Sequence, residues 1–326
     1  MKNKRKENES MEKLDIETII NGVKNNELLL EFIPTDMPDY EQIAIEAVKN
    51  NEEALRYVPT DIPNYEQIAI EAVKRYKEAL KYVPTDIPNY EQIALEAVKR
   101  DGYALEYVPK EKITEEMARE ATKYSWYALE YVPTDIPNYE QIAIETVKKN
   151  GYALGCVPEE NITEQIAIEA VKKDGEALRY VPTDMPNYEQ IAIEAVKRSS
   201  EALKYVPVDM PNYEQIALEA VKRNGYALEY VPKEKITEEM AREATKDSGF
   251  ALKYIPTDIP NYEQITLEAV KRNGYALECV PKEKITEEMA MEALKTYGYI
   301  PKYDEGISSE SQSEYEDQSE NARKTK

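Results

Sequence analysis

The sequence predicts an all-α fold, an α-solenoid of about eleven two-helix repeats of 24–25 residues. Three observations carry that prediction. A Val-Pro or Ile-Pro pair recurs along nearly the whole chain, at Pro34, Pro59, Pro84, Pro109, Pro133, Pro158, Pro182, Pro207, Pro232, Pro256 and Pro281. Between these prolines, apolar residues return at three- and four-residue spacing, the period of a helix. No stretch alternates β-branched and polar residues as a half-buried strand would.

The elements of one repeat can be read in order from residues 60–84, "TDIPNYEQIAIEAVKRYKEALKYVP". The spacing of the closing prolines is 25 when the linker resembles "TDIPNYEQ" and 24 when it resembles "KEKITEE". In the longer linker Asn64, with Gln67 three residues on and Pro63 just outside, predicts a capping box. In the shorter one Thr114, Thr163, Thr237 and Thr286 take the cap position ahead of glutamate. A first helix of about three turns follows. At 100° per residue Tyr65, Ile68, Ala69, Ala72 and Val73 share one arc, with Gln67, Glu71, Lys74 and Arg75 opposite. So short a helix is unstable alone and must pack on neighbours.

The first helix is expected to end at a small loop, often Asn-Gly as at Asn224 and Gly225, in a left-handed cap. A second helix of one to two turns then carries Ala227, Leu228, Tyr230 and Val231 before proline stops it. Residues 1–10 form a charged leader, 11–301 the array with atypical first and last units, and 302–326 a polar, acidic, serine-rich tail expected to be disordered.

The stretch "AVKRNGYALEYVPKEKITEE", with its order Ala-Val-Lys, Asn-Gly, Ala-Leu, Val-Pro, resembles the tandem repeats of a family of bacteria, protists and large viruses known only as a domain of unknown function. The resemblance covers residues of about 20–300. It implies a helical repeat fold and brings no established activity.

Composition narrows the function classes. With 42 Lys and Arg against 64 Asp and Glu, the net charge is −22, which favours basic partners and disfavours nucleic acid and anionic lipid. Histidine is absent, which removes the commonest general base and metal ligand. There is no phosphate loop, nucleophile elbow or metal-ligand spacing, so neither catalysis nor a metal or cofactor is expected. No apolar run approaches the roughly 20 residues of a membrane span, and charges interrupt any signal-peptide core, which predicts a cytoplasmic protein. Cys156 and Cys279 replace tyrosine in the column before Val-Pro, where a small buried hydrophobe fits better than a catalytic thiol.

Two further columns are informative. Glutamate recurs from Glu46, Glu71 and Glu96 to Glu292, with lysine three residues on from Lys49, Lys74 and Lys99 to Lys295. These fit pairs within one helix, or a ladder in which each lysine also meets the glutamate of the next repeat. The position before Ala-Leu is glutamate at 53, 78, 176 and 201, each followed three residues later by Arg or Lys, and aromatic at Tyr103, Tyr127, Tyr152, Tyr226, Phe250 and Tyr275. A position that accepts paired glutamate is wet, so its aromatics are expected to be partly exposed. Trp126, the only tryptophan, occupies the preceding column, where other repeats carry glycine. That column also takes Glu52, Lys77 and Ser200, which predicts a loop near water with Trp126 at the centre of an exposed patch. The expected function is a non-catalytic scaffold that binds a basic protein or peptide through Trp126 and these six aromatics, with carboxylates around them. The other reading of the rings is that they cover the seam between repeats.

Overall fold

The computed structural model describes residues 15–25 and 29–297, so the leader at 1–10 and the tail at 302–326 lie outside the described residues. The α-helices are α1 (Ile16–Lys24), α2 (Tyr40–Asn50), α3 (Tyr65–Arg75), α4 (Tyr90–Arg100), α5 (Glu115–Tyr124), α6 (Tyr139–Lys149), α7 (Glu164–Lys173), α8 (Tyr188–Arg198), α9 (Tyr213–Arg223), α10 (Glu238–Asp247), α11 (Tyr262–Arg272) and α12 (Glu287–Tyr297). No strand occurs among the described residues. The fold is an all-α solenoid of tandem repeats.

The chain divides into two compact units, residues 1–161 and 162–326. Within the first, α2 packs on α3 and α3 on α4; within the second, α7 packs on α8 and α8 on α9. The buried face of α3 is Tyr65, Ile68, Ala69, Ala72 and Val73, the same arc that the helical period marks. Ala79, Leu80 and Val83 close the core beneath it. A buried leucine at this position contributes about 2 kcal/mol.

The second element of each repeat is a six-residue 3-10 helix such as Lys77–Tyr82 or Gly225–Tyr230, which corrects the expected α-turns. Its last bond runs from Val83 N to Leu80 O at 3.2 Å. The following proline confines the residue before it to extended backbone, so the tighter winding has to finish in these six residues.

The predicted caps divide. Thr114, Thr163 and Thr237 accept from the backbone N–H three residues on at 3.2–3.4 Å, as read from the sequence. The Asn64 capping box does not form. Its amide instead donates to Glu41 of the preceding repeat, and Asn89, Asn138, Asn187, Asn212 and Asn261 reach back the same way to Glu66, Glu115, Glu164, Glu189 and Glu238. These asparagines tie repeat to repeat. The left-handed cap at Asn-Gly is also corrected: Asn224 is extended, at φ −155° and ψ 116°, and its side chain accepts from Tyr226 N at 2.9 Å to start the 3-10 helix.

The glycine column is buried, against the expected wet loop. A Cβ at Gly225 would stand 2.5 Å from the carbonyl oxygen of Ala244 on α10, and one at Gly102 would collide with Ala121 O on α5. Glycine lets the next helix approach. At Gly249 the corresponding carbonyl, Ala269 O on α11, lies 3.7 Å away, and the close contact is instead with the Ala276 Cβ at 2.7 Å. Helix α11 follows Asn261, one of two non-glycine residues with positive φ among the described residues; the other is Asn138, ahead of α6. In the first unit Trp126 takes the place of Gly249, one joint before Asn138 and α6.

The two asparagines are 123 positions apart, and so are most other landmarks. Helices α3 to α6 match α8 to α11 residue for residue in their bounds, as do the 3-10 helices 151–156 and 274–279. Cys156 pairs with Cys279 and Arg119 with Arg242 in this register. A block of five repeats, residues 40–162, is thus present a second time at 163–285.

Candidate functional site

In a 3-10 helix residues three apart stand one above the other. With Ala104 and Leu105 turned into the core, the helix Gly102–Tyr107 presents Tyr103, Glu106 and Tyr107 outward. Two of the four glutamate variants pair as the columns suggest, Glu176 with Arg179 at 3.1 Å and Glu201 with Lys204 at 3.5 Å, while Arg56 and Lys81 lie over Tyr57 and Tyr107 instead. The Glu130 carboxylate beside Tyr127 accepts from its hydroxyl and holds the phenol at about 12.

Consecutive 3-10 helices within a unit bring these residues together. The rings of Tyr103 and Tyr127 lie 6.1 Å apart, and Trp126 meets Tyr127 edge-on at 5.6 Å. Tyr103 and Tyr127 each remain 39% exposed. Trp126 is half-buried, a correction to its placement at the exposed centre; it braces the patch from one side. Tyr152, in the next repeat, is half-buried as well. In the second unit Tyr226 and Tyr275 are exposed, at 38% and 42%, while Phe250 is half-buried. Tyr226 meets Tyr254 at 6.5 Å. The rings thus cover the seam between repeats and still face water.

Sequence reading missed a second row of tyrosines on this face and the cations lying on it. Lys77 sits over Tyr103 at 4.9 Å, Lys81 over Tyr107 at 4.5 Å, and Arg179 over Tyr205 of the following repeat at 4.9 Å. Lys253 lies over both Tyr226 and Tyr254. The signal was present in the chain, since the tyrosine before Val-Pro recurs beside Arg or Lys. What it lacked was the knowledge that this column faces outward.

The Glu and Lys columns form mostly internal pairs, such as Lys172 with Glu169 at 3.5 Å and Lys222 with Glu219 at 3.3 Å. The ladder is formed where Glu46 bridges Lys24 and Lys49 and where Glu96 bridges Lys74 and Lys99. At surface exposure each pair contributes well under about 1 kcal/mol.

Residues 15–62, 65–111, 114–161, 163–211, 188–234 and 237–283 each match the family described as a domain of unknown function (DUF4116). The chain belongs to that family. Each DUF4116 match spans two of the structural repeats, and two matches overlap because they start one repeat apart. No curated protein matches the chain.

In this DUF4116 array the two cysteines are half-buried and free of disulfides. Burial pushes the Cys156 thiol up to about 11 and raises that of Cys279. Among the described residues no group of three or more Cys, Asp and Glu side chains is placed to hold a metal ion, and no helix is long and apolar enough to cross a membrane.

Proposed function

We propose that the chain is a non-catalytic, cytoplasmic scaffold whose 3-10 helix face holds protein or peptide segments that carry apolar and basic groups. The observation that supports this reading best is the cluster of Trp126, Tyr103 and Tyr127, rigid rings left partly in water with the exposed carboxylates of Glu106 and Glu130 beside them. Aromatic side chains of this kind anchor interfaces because they bring large contact area at little conformational cost. The carboxylates select for Lys or Arg on the partner. The face on the second unit, with Tyr226, Tyr275 and Glu229, repeats the arrangement.

The test is selection of a displayed random-peptide library on the full chain. Enrichment of peptides combining apolar residues with Lys or Arg is expected, with binding weakened about tenfold for each of Tyr103→Ala and Tyr127→Ala. Circular dichroism should be unchanged in both variants. Enrichment of acidic peptides, or none, would sink the reading. A fall in helicity in the variants would instead make the rings structural.

A further inference from the structure

At the C-terminal ends of α3, α4 and α5 the first copy of the five-repeat block carries side chains that the second lacks. Tyr76, Lys77, Asp101, Tyr124 and Trp126 stand where the second copy has Ser199, Ser200, Asn224, Asp247 and Gly249. Three of these, Lys77, Asp101 and Tyr124, line a cavity of about 520 Å³ together with Lys74, Arg75, Lys99 and Arg100. That volume suits a small molecule.

Positive charge at helix C-termini is ordinary, since it offsets the carbonyl end of the helix dipole. Lys197, Arg198, Lys222 and Arg223 occupy the same places in the second copy. Dipole compensation does not account for Lys77, which belongs to the following 3-10 helix. It does not account for Tyr124 either, a tyrosine left 78% exposed at the rim. In the second copy the residue in the place of Tyr124 is Asp247, whose carboxylate accepts from Gly225 N at 2.9 Å and puts negative charge there.

The cations are also incompletely matched. Lys77 holds Asp101 at 3.1 Å, and Lys74 and Lys99 share Glu96 at 3.8 Å. Arg75 and Arg100 have no carboxylate within ion-pair distance among the described residues. The net charge of −22 does not cancel this local field, because charges beyond about 8 Å are screened at physiological ionic strength.

We propose that this cavity binds a small phosphorylated molecule bearing a planar ring, with its phosphates on Arg75, Lys77 and Arg100 and its ring against Tyr124. Guanidinium groups match phosphate oxygens two at a time, and an exposed phenol offers a flat surface for stacking. The cavity shares Tyr103 with the face that the peptide reading uses, but its phosphate-binding cations and Tyr124 lie outside that face, so the proposal does not depend on that reading.

The full chain is titrated with ATP and with inorganic tripolyphosphate, followed by calorimetry and by the fluorescence of Trp126, whose chain neighbour Ser125 lines the cavity. One saturable site per chain is expected, with ATP bound more tightly than tripolyphosphate. Arg100→Ala and Lys77→Ser should each weaken both probes about tenfold. Tyr124→Ala should bring ATP down to the level of tripolyphosphate, and Arg223→Ala, the second-copy counterpart of Arg100→Ala, should change nothing. Circular dichroism confirms that each variant is folded. Absence of saturable binding, equal losses in Arg100→Ala and Arg223→Ala, or equal affinity for the two probes in the wild type overturns the proposal. A short oligoribonucleotide that binds more tightly than ATP would replace it with a nucleic-acid edge.

Discussion

The tyrosines that open the α-helices are buried alike, yet their hydroxyls meet different fates. Tyr188 donates to Tyr205 O at 3.2 Å and Tyr213 to Tyr230 O at 3.3 Å, whereas the hydroxyls of Tyr65 and Tyr90 are buried with no protein acceptor. Removing a made bond costs more than removing an unmade one. Tyr188→Phe is expected to lower stability by about 1 kcal/mol and Tyr90→Phe to be neutral or stabilising, read from urea midpoints. Equal losses would contradict this account. Burial also holds the phenols of Tyr40, Tyr65, Tyr90, Tyr139, Tyr188 and Tyr213 near about 12. Below about pH 10 they are neutral in both states. Between about 10 and 12 the unfolded chain ionises and the native one does not, so stability falls as pH rises through that window. Phenolate absorbance should show this core group titrating together with unfolding. The burial of these tyrosines was legible in their spacing. Their hydrogen bonds were not, because the acceptor lies 17 residues away in the next element.

At the scale of one helix and its joints, local signals were legible and contacts between repeats were not. Threonine followed by glutamate marked the caps at Thr114 and Thr237 because the bond is made within one turn, so Thr237→Ala is expected to cost about 1 kcal/mol. Asparagine at the same place in the longer linker looked like a cap by the same rule. Its amide turns instead to a carboxylate 23 residues earlier, as Asn187 does to Glu164 at 2.7 Å. Asn138 adds a backbone role, at φ 60°. Asn138→Ala should lose about 1–2 kcal/mol from the left-handed backbone together with the bond to Glu115. Asn138→Gly should lose only the bond. Thermal melts of the two variants separate these contributions, and an equal loss in both would show that the backbone conformation contributes nothing. Glycine in the column before the aromatics was misread for a related reason. Its conformation is ordinary, and the constraint comes from the carbonyl of a helix in the next repeat.

Across the molecule the short period of 24–25 residues conceals a longer one, the five-repeat block, because the shared core residues dominate any comparison of single repeats. The block becomes visible through its irregular members, the positive-φ asparagines, the cysteines and the Arg119 and Arg242 bridges to Glu145 and Glu268. In an array stabilised by nearest-neighbour contacts, damage should stay local. Gly102→Ala and Gly225→Ala occupy the same place in the two copies and drive a methyl group into the next helix, at a cost of about 1–3 kcal/mol each. Amide exchange after Gly102→Ala should quicken in α4 and α5 and leave α9 and α10 protected, and Gly225→Ala should give the reverse pattern. Urea unfolding of either variant should then separate into two phases. Uniform loss of protection along the chain in both variants would mean that the two units unfold as one cooperative body, and that the duplication repeats sequence without dividing stability.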